Sequence, residues 1–361
     1  MIKTINGWRA VFALMIVLFH VGVTGLEEMT WAGVSFFFMA SGLLLSMKYP
    51  FKRIDRRNYW RFAWRHAAKL FPLHWLALAL WLLVMALAGT LVIKPLALTL
   101  NALLLHSWSL IHSIYYSYNH FSWFLSALLF CYLCYPLLAR YYSRLRLRHK
   151  LVILAVLAVI EWVVLAKMGA DDYNRTALYV FPPMRLVDFL IGMTLPHVVR
   201  RFKHSRVLGR ETNGTDAELL ALALLSATVM TYQTYDTLLP WGDAPLWWLP
   251  VAVILLACLL YNRREGFIGK LMASRPLQWI GNISFEIFIL QGIALLLYNY
   301  LLAPVLAHFG ALPLADMVAD DLFSVSGNRL LSICLVLPVD ILLAWVVNRL
   351  FTRPLAKCWN R

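Results

Sequence analysis

Long apolar runs recur from one end of the sequence to the other, broken by short polar and basic stretches. Their lengths predict ten membrane-spanning helices, at 8–26, 31–48, 67–88, 121–140, 150–167, 178–199, 217–235, 246–261, 281–303 and 329–350. Each is near the ~20 residues that cross about 30 Å of hydrocarbon. Residues 95–112 (PLALTLNALLLHSWSLIH) are also apolar, but Pro95, Asn101, His106 and His112 suit an interfacial or re-entrant helix better than an eleventh crossing. No long Pro/Gly/Ser linker or polar tail interrupts the pattern. The expectation is an all-α polytopic membrane protein, with residues 1–361 forming a single domain.

Composition agrees. Hydrophobic residues make up 61% and charged residues 14%, against roughly 45–50% and about 25% in soluble domains. The mean hydropathy is +0.69. A water-soluble core could not hide that much apolar surface.

The formal net charge of +15 is distributed unevenly. With ten spans, one side receives Lys3, Arg9 and the basic stretches Lys48 to Lys69, Arg140 to Lys150, Arg200 to Arg210, Arg263 to Arg275 and Arg349 to Arg361, which hold most of the 33 Lys and Arg. The other side receives Glu27, Glu28, Asp171, Asp172, Asp236, Asp243, Asp316, Asp320 and Asp321, with Lys94 and Arg175 its only evident bases. Positive-inside bias then places both termini in the cytoplasm, and an eleventh crossing would scatter the bases onto both sides. The charge is therefore a topology signal that calls for no nucleic-acid partner, although a basic face attracts anionic membrane lipids. The opening Lys3 and apolar run resemble a secretory signal. With no small-x-small site and a second span directly after Glu27 and Glu28, the first helix is expected to be retained.

Within the first span, NGWRAVFALMIVLFHVG, Arg9 and His20 are eleven residues apart. At 100° per residue they return to within about 20° of one direction, and at 1.5 Å per residue they lie about 16 Å apart along the axis. Ionisable groups inside a lipid-spanning helix are costly and mark functional paths. The next stretch, Trp31 to Trp75, pairs the small-residue helix WAGVSFFFMASGLLLS with a basic one. Arg57, Arg61 and Arg65 recur every four residues, and Lys69 continues the register. Such a ridge meets either lipid phosphates or an anionic ligand.

The chain resembles the acyltransferase type 3 family of integral membrane O-acyltransferases. The resemblance is carried by R-x10-H (Arg9 to His20), GVSFFFMASG (Gly33 to Gly42), RHAAKLFPLHW (Arg65 to Trp75), SWFLSALLFCYLCYP (Ser122 to Pro136), PPMRLVDFLIGM (Pro182 to Met193) and IGNISFEIFILQ (Ile280 to Gln291). It implies an acyl-CoA donor, usually acetyl-CoA, approached from the cytoplasm, and a hydroxyl acceptor on a bacterial surface polysaccharide or lipid-linked glycan. It also implies residence in the cytoplasmic (inner) membrane, beside polysaccharide-assembly machinery. Arg9 and His20 fall on the family's functional arginine and histidine, while Arg65 and Lys69 fall in its charged cytoplasmic region. Three positions depart from the family pattern: Ser35 stands where an acid is common, Asp188 where Glu is common, and Gln291 where histidine often ends the motif.

Coenzyme A carries phosphates at one end and a thioester at the other. Arg9, Arg65 and Lys69 could hold the phosphates through charge-assisted contacts, with His20 near the far end of an extended pantetheine arm. Neutral His20 would accept the acceptor hydroxyl's proton, either in direct transfer or on the way to an acyl-histidine. Glu27 would fall on the His20 face if the helix continued, as an assistant or as an ordinary outward charge. Arg185 and Asp188 form an ion pair or an acceptor-site wall. Glu286 supports the site or helix packing, and Trp123, with Tyr132 and Tyr135, lines a sugar passage or belongs to the aromatic core.

Cys131 and Cys134 lack a companion pair at metal spacing, and His74, His106, His112 and His120 come with no HExxH motif, so no metal is expected. The rival class is a transporter of a lipid-linked glycan or small solute. It would move an unchanged solute instead of consuming acetyl-CoA.

Overall fold

The computed structural model describes residues 2–49, 55–168, 172–203, 214–235, 245–262, 265–308 and 329–359. Among them there is no strand. The helices are α1 (Lys3–His20), α2 (Glu27–Lys48), α3 (Arg56–Leu87), α4 (Pro95–Ala102), α5 (His112–Tyr115), α6 (Trp123–Arg140), α7 (Leu147–Met168) and α8 (Asp172–Val180). They continue with α9 (Pro182–Lys203), α10 (Thr215–Tyr235), α11 (Pro245–Leu260), α12 (Phe267–Met272), α13 (Arg275–Leu297), α14 (Ala303–His308), α15 (Arg329–Val347) and α16 (Arg353–Trp359).

Each of the ten apolar runs is thus helical over most of its length. Among the described residues six segments are long and apolar enough to cross a membrane: Glu27–Lys48, Arg56–Leu87, His120–Arg140, Leu147–Met168, Arg275–Val305 and Ser332–Lys357. A seventh forms if Tyr173–Val180 and Pro182–Arg201, bent by 48° at their junction, make one span. The chain is a multi-pass membrane protein by these helices. Several loop charges used for topology, including Lys52, Asp171, Arg206, Asp236, Asp243, Asp316, Asp320 and Asp321, lie outside the described residues.

Two expectations change in detail. The 8–26 span ends early: α1 stops at His20, where the Val23 amide donates to Leu18 and the Gly22 amide to Phe19. This double closure needs a left-handed residue, supplied by Gly22 at φ +90°. The basic ridge is also continuous with the third span, as one 32-residue helix. Asp55 starts it, its carboxylate accepting from the Asn58 amide at 2.7 Å.

The structure divides into two compact units, residues 1–11, 31–64 and 127–281, and residues 12–30, 65–126 and 282–361. In the first, small residues let helix backbones meet. A Cβ on Gly42 of α2 would strike the Phe189 carbonyl, and one on Gly192 of α9 would strike the Met39 carbonyl. Reciprocal glycines of this kind bring two apolar helices into close contact. Buried Tyr135 of α6 ties down the end of α2, its hydroxyl lying 2.7 Å from the Leu45 carbonyl and 2.8 Å from that of Tyr49. Asn6 of α1 donates to the Gln278 carbonyl at 3.2 Å.

In the second unit, residues 95–122 form short pieces, the longest being the eight-residue α4. At 1.5 Å per residue α4 is far too short to span a bilayer. The pieces are held by polar bonds. His74 Nε2 donates to the Asn101 carbonyl at 2.8 Å, the Trp75 indole to Ala102 at 2.9 Å, and the Tyr118 hydroxyl accepts from the Lys94 amide at 2.9 Å. Leu104 closes α4 with the same double bond pattern as Gly22, but at φ +57° with a buried leucine side chain. Tyr118 has φ +55°. Bulky side chains in this region are strained and tend to cluster at functional sites.

Candidate active site

His20 is the last residue of α1, in the second unit. Its Nδ1 lies 2.7 Å from the Ile16 carbonyl, which can only accept. The proton therefore sits on Nδ1, and a neutral ring presents the Nε2 lone pair. The ring stands edge-on to Phe121, with centroids 4.8 Å apart at 88°. Phe121 is backed in turn by Phe288 of α13 and by Gly292, where a Cβ would lie 3.0 Å from two Phe121 ring carbons. Asn119 fixes the same turn by donating to the Ile289 carbonyl at 3.0 Å.

The strained segment brings further histidines to this place. His120 lies within electrostatic reach of His20, His112 and His106. The Ser122 hydroxyl donates to the Asn119 carbonyl at 2.6 Å, which leaves its oxygen to accept from His106 Nε2 at 3.1 Å. Burial, reinforced by neighbouring His74 and opposed by the Leu100 carbonyl, pushes the His106 imidazole down to about 3. His106 is thus a neutral, structural donor. Among the described residues no group of three or more His, Cys, Asp or Glu side chains could hold a metal ion.

The other candidates are distributed as follows. Buried Glu286 of α13 accepts from Asn348 Nδ2 at 2.7 Å. Asn348 opens a π-helical turn, a local widening that recurs at functional sites. Trp123, at the start of α6, is buried in the aromatic packing of the second unit. Arg65 and Lys69 are exposed on α3 in that unit. Glu27 is exposed in the first turn of α2, and because α1 ends at His20 the angular relation to His20 does not extend to it.

Arg9 belongs to the first unit, where it lies within electrostatic reach of Tyr132, whose hydroxyl bonds Ser41. That unit also holds a buried ionic centre. Arg185 Nη1 is 3.2 Å from Asp188 Oδ2 and Nη2 is 3.9 Å from Glu161 Oε1, with Ser35 and Trp248 close to the Asp188 carboxylate. The guanidinium also lies 4.8 Å over the Tyr179 ring.

Sequence reasoning missed Glu161, Asn348 and Asp340, and weighed His120 only as a metal ligand. Asp340, in α15, is fully buried, with neither carboxylate oxygen hydrogen-bonded among the described residues. Glu161 and Asp340 were detectable as lone acids inside predicted spans. The grouping of His120 and His106 with His20 depends on chain reversals that no periodicity reveals.

Among the described residues the framework is all helical, with segments long and apolar enough to cross a membrane, and comparison with known proteins gives the class. The chain belongs to the acyltransferase type 3 family: the family model described as "Acyltransferase domain" matches residues 2–349. It is 25% identical over 316 residues to a Bacillus subtilis (strain 168) protein named "Putative peptidoglycan O-acetyltransferase YrhL". The match covers 80% of this chain and 48% of that protein, so the chain spans about half the length of this relative. No solved structure matches significantly.

Proposed function

We propose that the chain is an acyl-CoA-dependent O-acetyltransferase of the bacterial cytoplasmic membrane. It moves an acetyl group from cytoplasmic acetyl-CoA to a hydroxyl of a cell-surface glycan, of which peptidoglycan or its lipid-linked precursor is the first to test. It crosses the membrane ten times with both termini cytoplasmic, which keeps the basic loops on the donor side. The observation that carries the proposal is the His20–Ile16 hydrogen bond, which leaves Nε2 as the available base in a member of an acyltransferase family.

In the proposed step, His20 Nε2 takes the acceptor hydroxyl proton as that oxygen attacks the thioester carbonyl. The tetrahedral intermediate collapses by breaking the C–S bond, and the imidazolium returns the proton to the departing thiolate. Free coenzyme A and an O-acetyl ester result. General-base help of this kind is worth roughly 10²- to 10⁴-fold. For the donor phosphates the candidate in the first unit is Arg9, whose planar fork suits bidentate contact, and those in the second unit are Arg65 and Lys69. For support of acceptor handling the candidates are, in the second unit, Glu286, fixed by Asn348, with Glu27 and Trp123, and, taken separately in the first unit, the Arg185–Asp188 pair.

The test is transfer of radiolabel from [acetyl-14C]acetyl-CoA by purified protein in proteoliposomes to peptidoglycan, its lipid-linked precursor and other surface polysaccharides. Alkali-labile acetyl ester on one acceptor, with stoichiometric release of free thiol, is the expected result. No acceptor-dependent thiol release, combined with movement of an unmodified glycan across the membrane, would point instead to transport.

A further inference from the structure

A cleft of about 420 Å³ opens in the first unit between the chain entering α7 and the last turns of α9, lined by Leu145, Arg146, Leu147, His197, Arg200 and Arg201. Its volume is that of a small-molecule site. Among the described residues three guanidinium groups and an imidazole line it, and no carboxylate does. None of Arg9, Arg65 and Lys69, the residues proposed for the donor, is among them.

The cleft is built rather than incidental. The Tyr142 hydroxyl donates to Thr194 Oγ1 at 2.7 Å, and Thr194 donates onward to the Leu190 carbonyl at 2.9 Å. This pins the turn before α7 to α9 and sets the two walls. Arg200 is aimed from within α9: its Nε donates to the Pro196 carbonyl at 3.3 Å, and its Nη2 lies 3.2 Å from His197 Nε2. Buried Lys150 stands within electrostatic reach of both Arg200 and His197. Its ammonium donates to the Ser143 carbonyl at 3.2 Å and lies 5.3 Å over the Tyr142 ring. Each cation here raises the cost of the next, and an anion in the cleft would relieve all of them together.

We infer that this cleft binds a phosphate group, carried by an anionic phospholipid headgroup or by a soluble phosphoester. Forked guanidinium donors from two elements suit the several oxygens of a phosphate better than the two of a carboxylate. With the walls already fixed, little ordering is lost on binding.

The test uses the full chain and two probes. Inorganic pyrophosphate is titrated calorimetrically into protein in phosphatidylcholine nanodiscs. Phosphatidylglycerol retained after detergent extraction is read by native mass spectrometry. Arg146→Gln, Arg200→Gln and Arg201→Gln are compared with wild type and with Arg56→Gln, which removes the same charge from an exposed helix end. Arg200→Lys serves as a conservative variant, and unfolding temperatures check that all are folded. About tenfold or greater weakening in the cleft variants, with Arg56→Gln unchanged and Arg200→Lys partly recovered, is expected for at least one probe. Loss confined to pyrophosphate assigns a soluble ligand, and loss confined to phosphatidylglycerol assigns a lipid. Wild-type binding of neither probe, equal binding by cleft variants and wild type, or an equal loss in Arg56→Gln would overturn the inference. The readout does not involve His20, so it stands or falls separately from acetyl transfer.

Discussion

His20 Nδ1 donates to the Ile16 carbonyl 2.7 Å away, one turn earlier on the same helix. A histidine at a helix end with a free rotor could present either nitrogen. Here the backbone of α1 has already chosen, and the Phe121 ring, edge-on at 4.8 Å, limits how the imidazole can tilt. The imidazole is pre-positioned by packing as well as by its own hydrogen bond.

That packing is testable at a distance from the imidazole. Gly292 on α13 leaves room for Phe121, and Gly292→Ala places a methyl 3.0 Å from its ring carbons. The variant should lose about 1–3 kcal/mol of stability through overpacking. Acetyl transfer should fall further than donor binding, because Phe121 moves against His20. The double variant Gly292→Ala/Phe121→Leu should recover the stability and only part of the rate. Unchanged turnover and unfolding temperature in Gly292→Ala would contradict the coupling.

The buried ionic centre makes a different prediction. Arg185 is the shared cation of Asp188 and Glu161, each 2% exposed or less. Removing it in Arg185→Met leaves two acids in an apolar interior. Breaking a buried pair from one side typically costs about 3–5 kcal/mol. Replacing all three residues with apolar ones should cost much less than the single change. Thermal unfolding in detergent distinguishes these outcomes, and equal stability of Arg185→Met and wild type would show that the centre is solvated.

These two sites show what was legible in the chain. Apolar run lengths located the long helices among the described residues because burial in lipid demands continuous hydrophobicity, and residues 95–112, set apart by Pro95, Asn101, His106 and His112, form short pieces. The end of α1 was not legible: Val21, Val23 and Leu26 prolong the apolar run, and only the backbone reversal at Gly22 stops the helix. Arg9, His20 and the Arg185–Asp188 pair could be named from spacing. Glu161 could not be paired with them, since its partner is on another helix 24 positions away. The neighbours of His20 likewise come from a segment whose strained Leu104 and Tyr118 carry no glycine to signal the turn.

Donor binding is expected to depend on Arg9. Arg9→Ala should weaken acetyl-CoA affinity by about 1.5–3 kcal/mol, the worth of a charged hydrogen bond. Arg9→Lys should recover only part, because an ammonium cannot reproduce the planar fork. Calorimetric titration with coenzyme A measures this, and wild-type affinity in folded Arg9→Ala would remove Arg9 from the donor site.

The central claim is that His20 moves the proton while other residues hold the donor. It is tested most directly by measuring acetyl transfer and coenzyme A binding on the same preparation of His20→Gln. The account predicts a folded protein with near wild-type affinity for coenzyme A and transfer reduced by roughly 10²- to 10⁴-fold. A folded His20→Gln protein that transfers acetyl groups at the wild-type rate would contradict it.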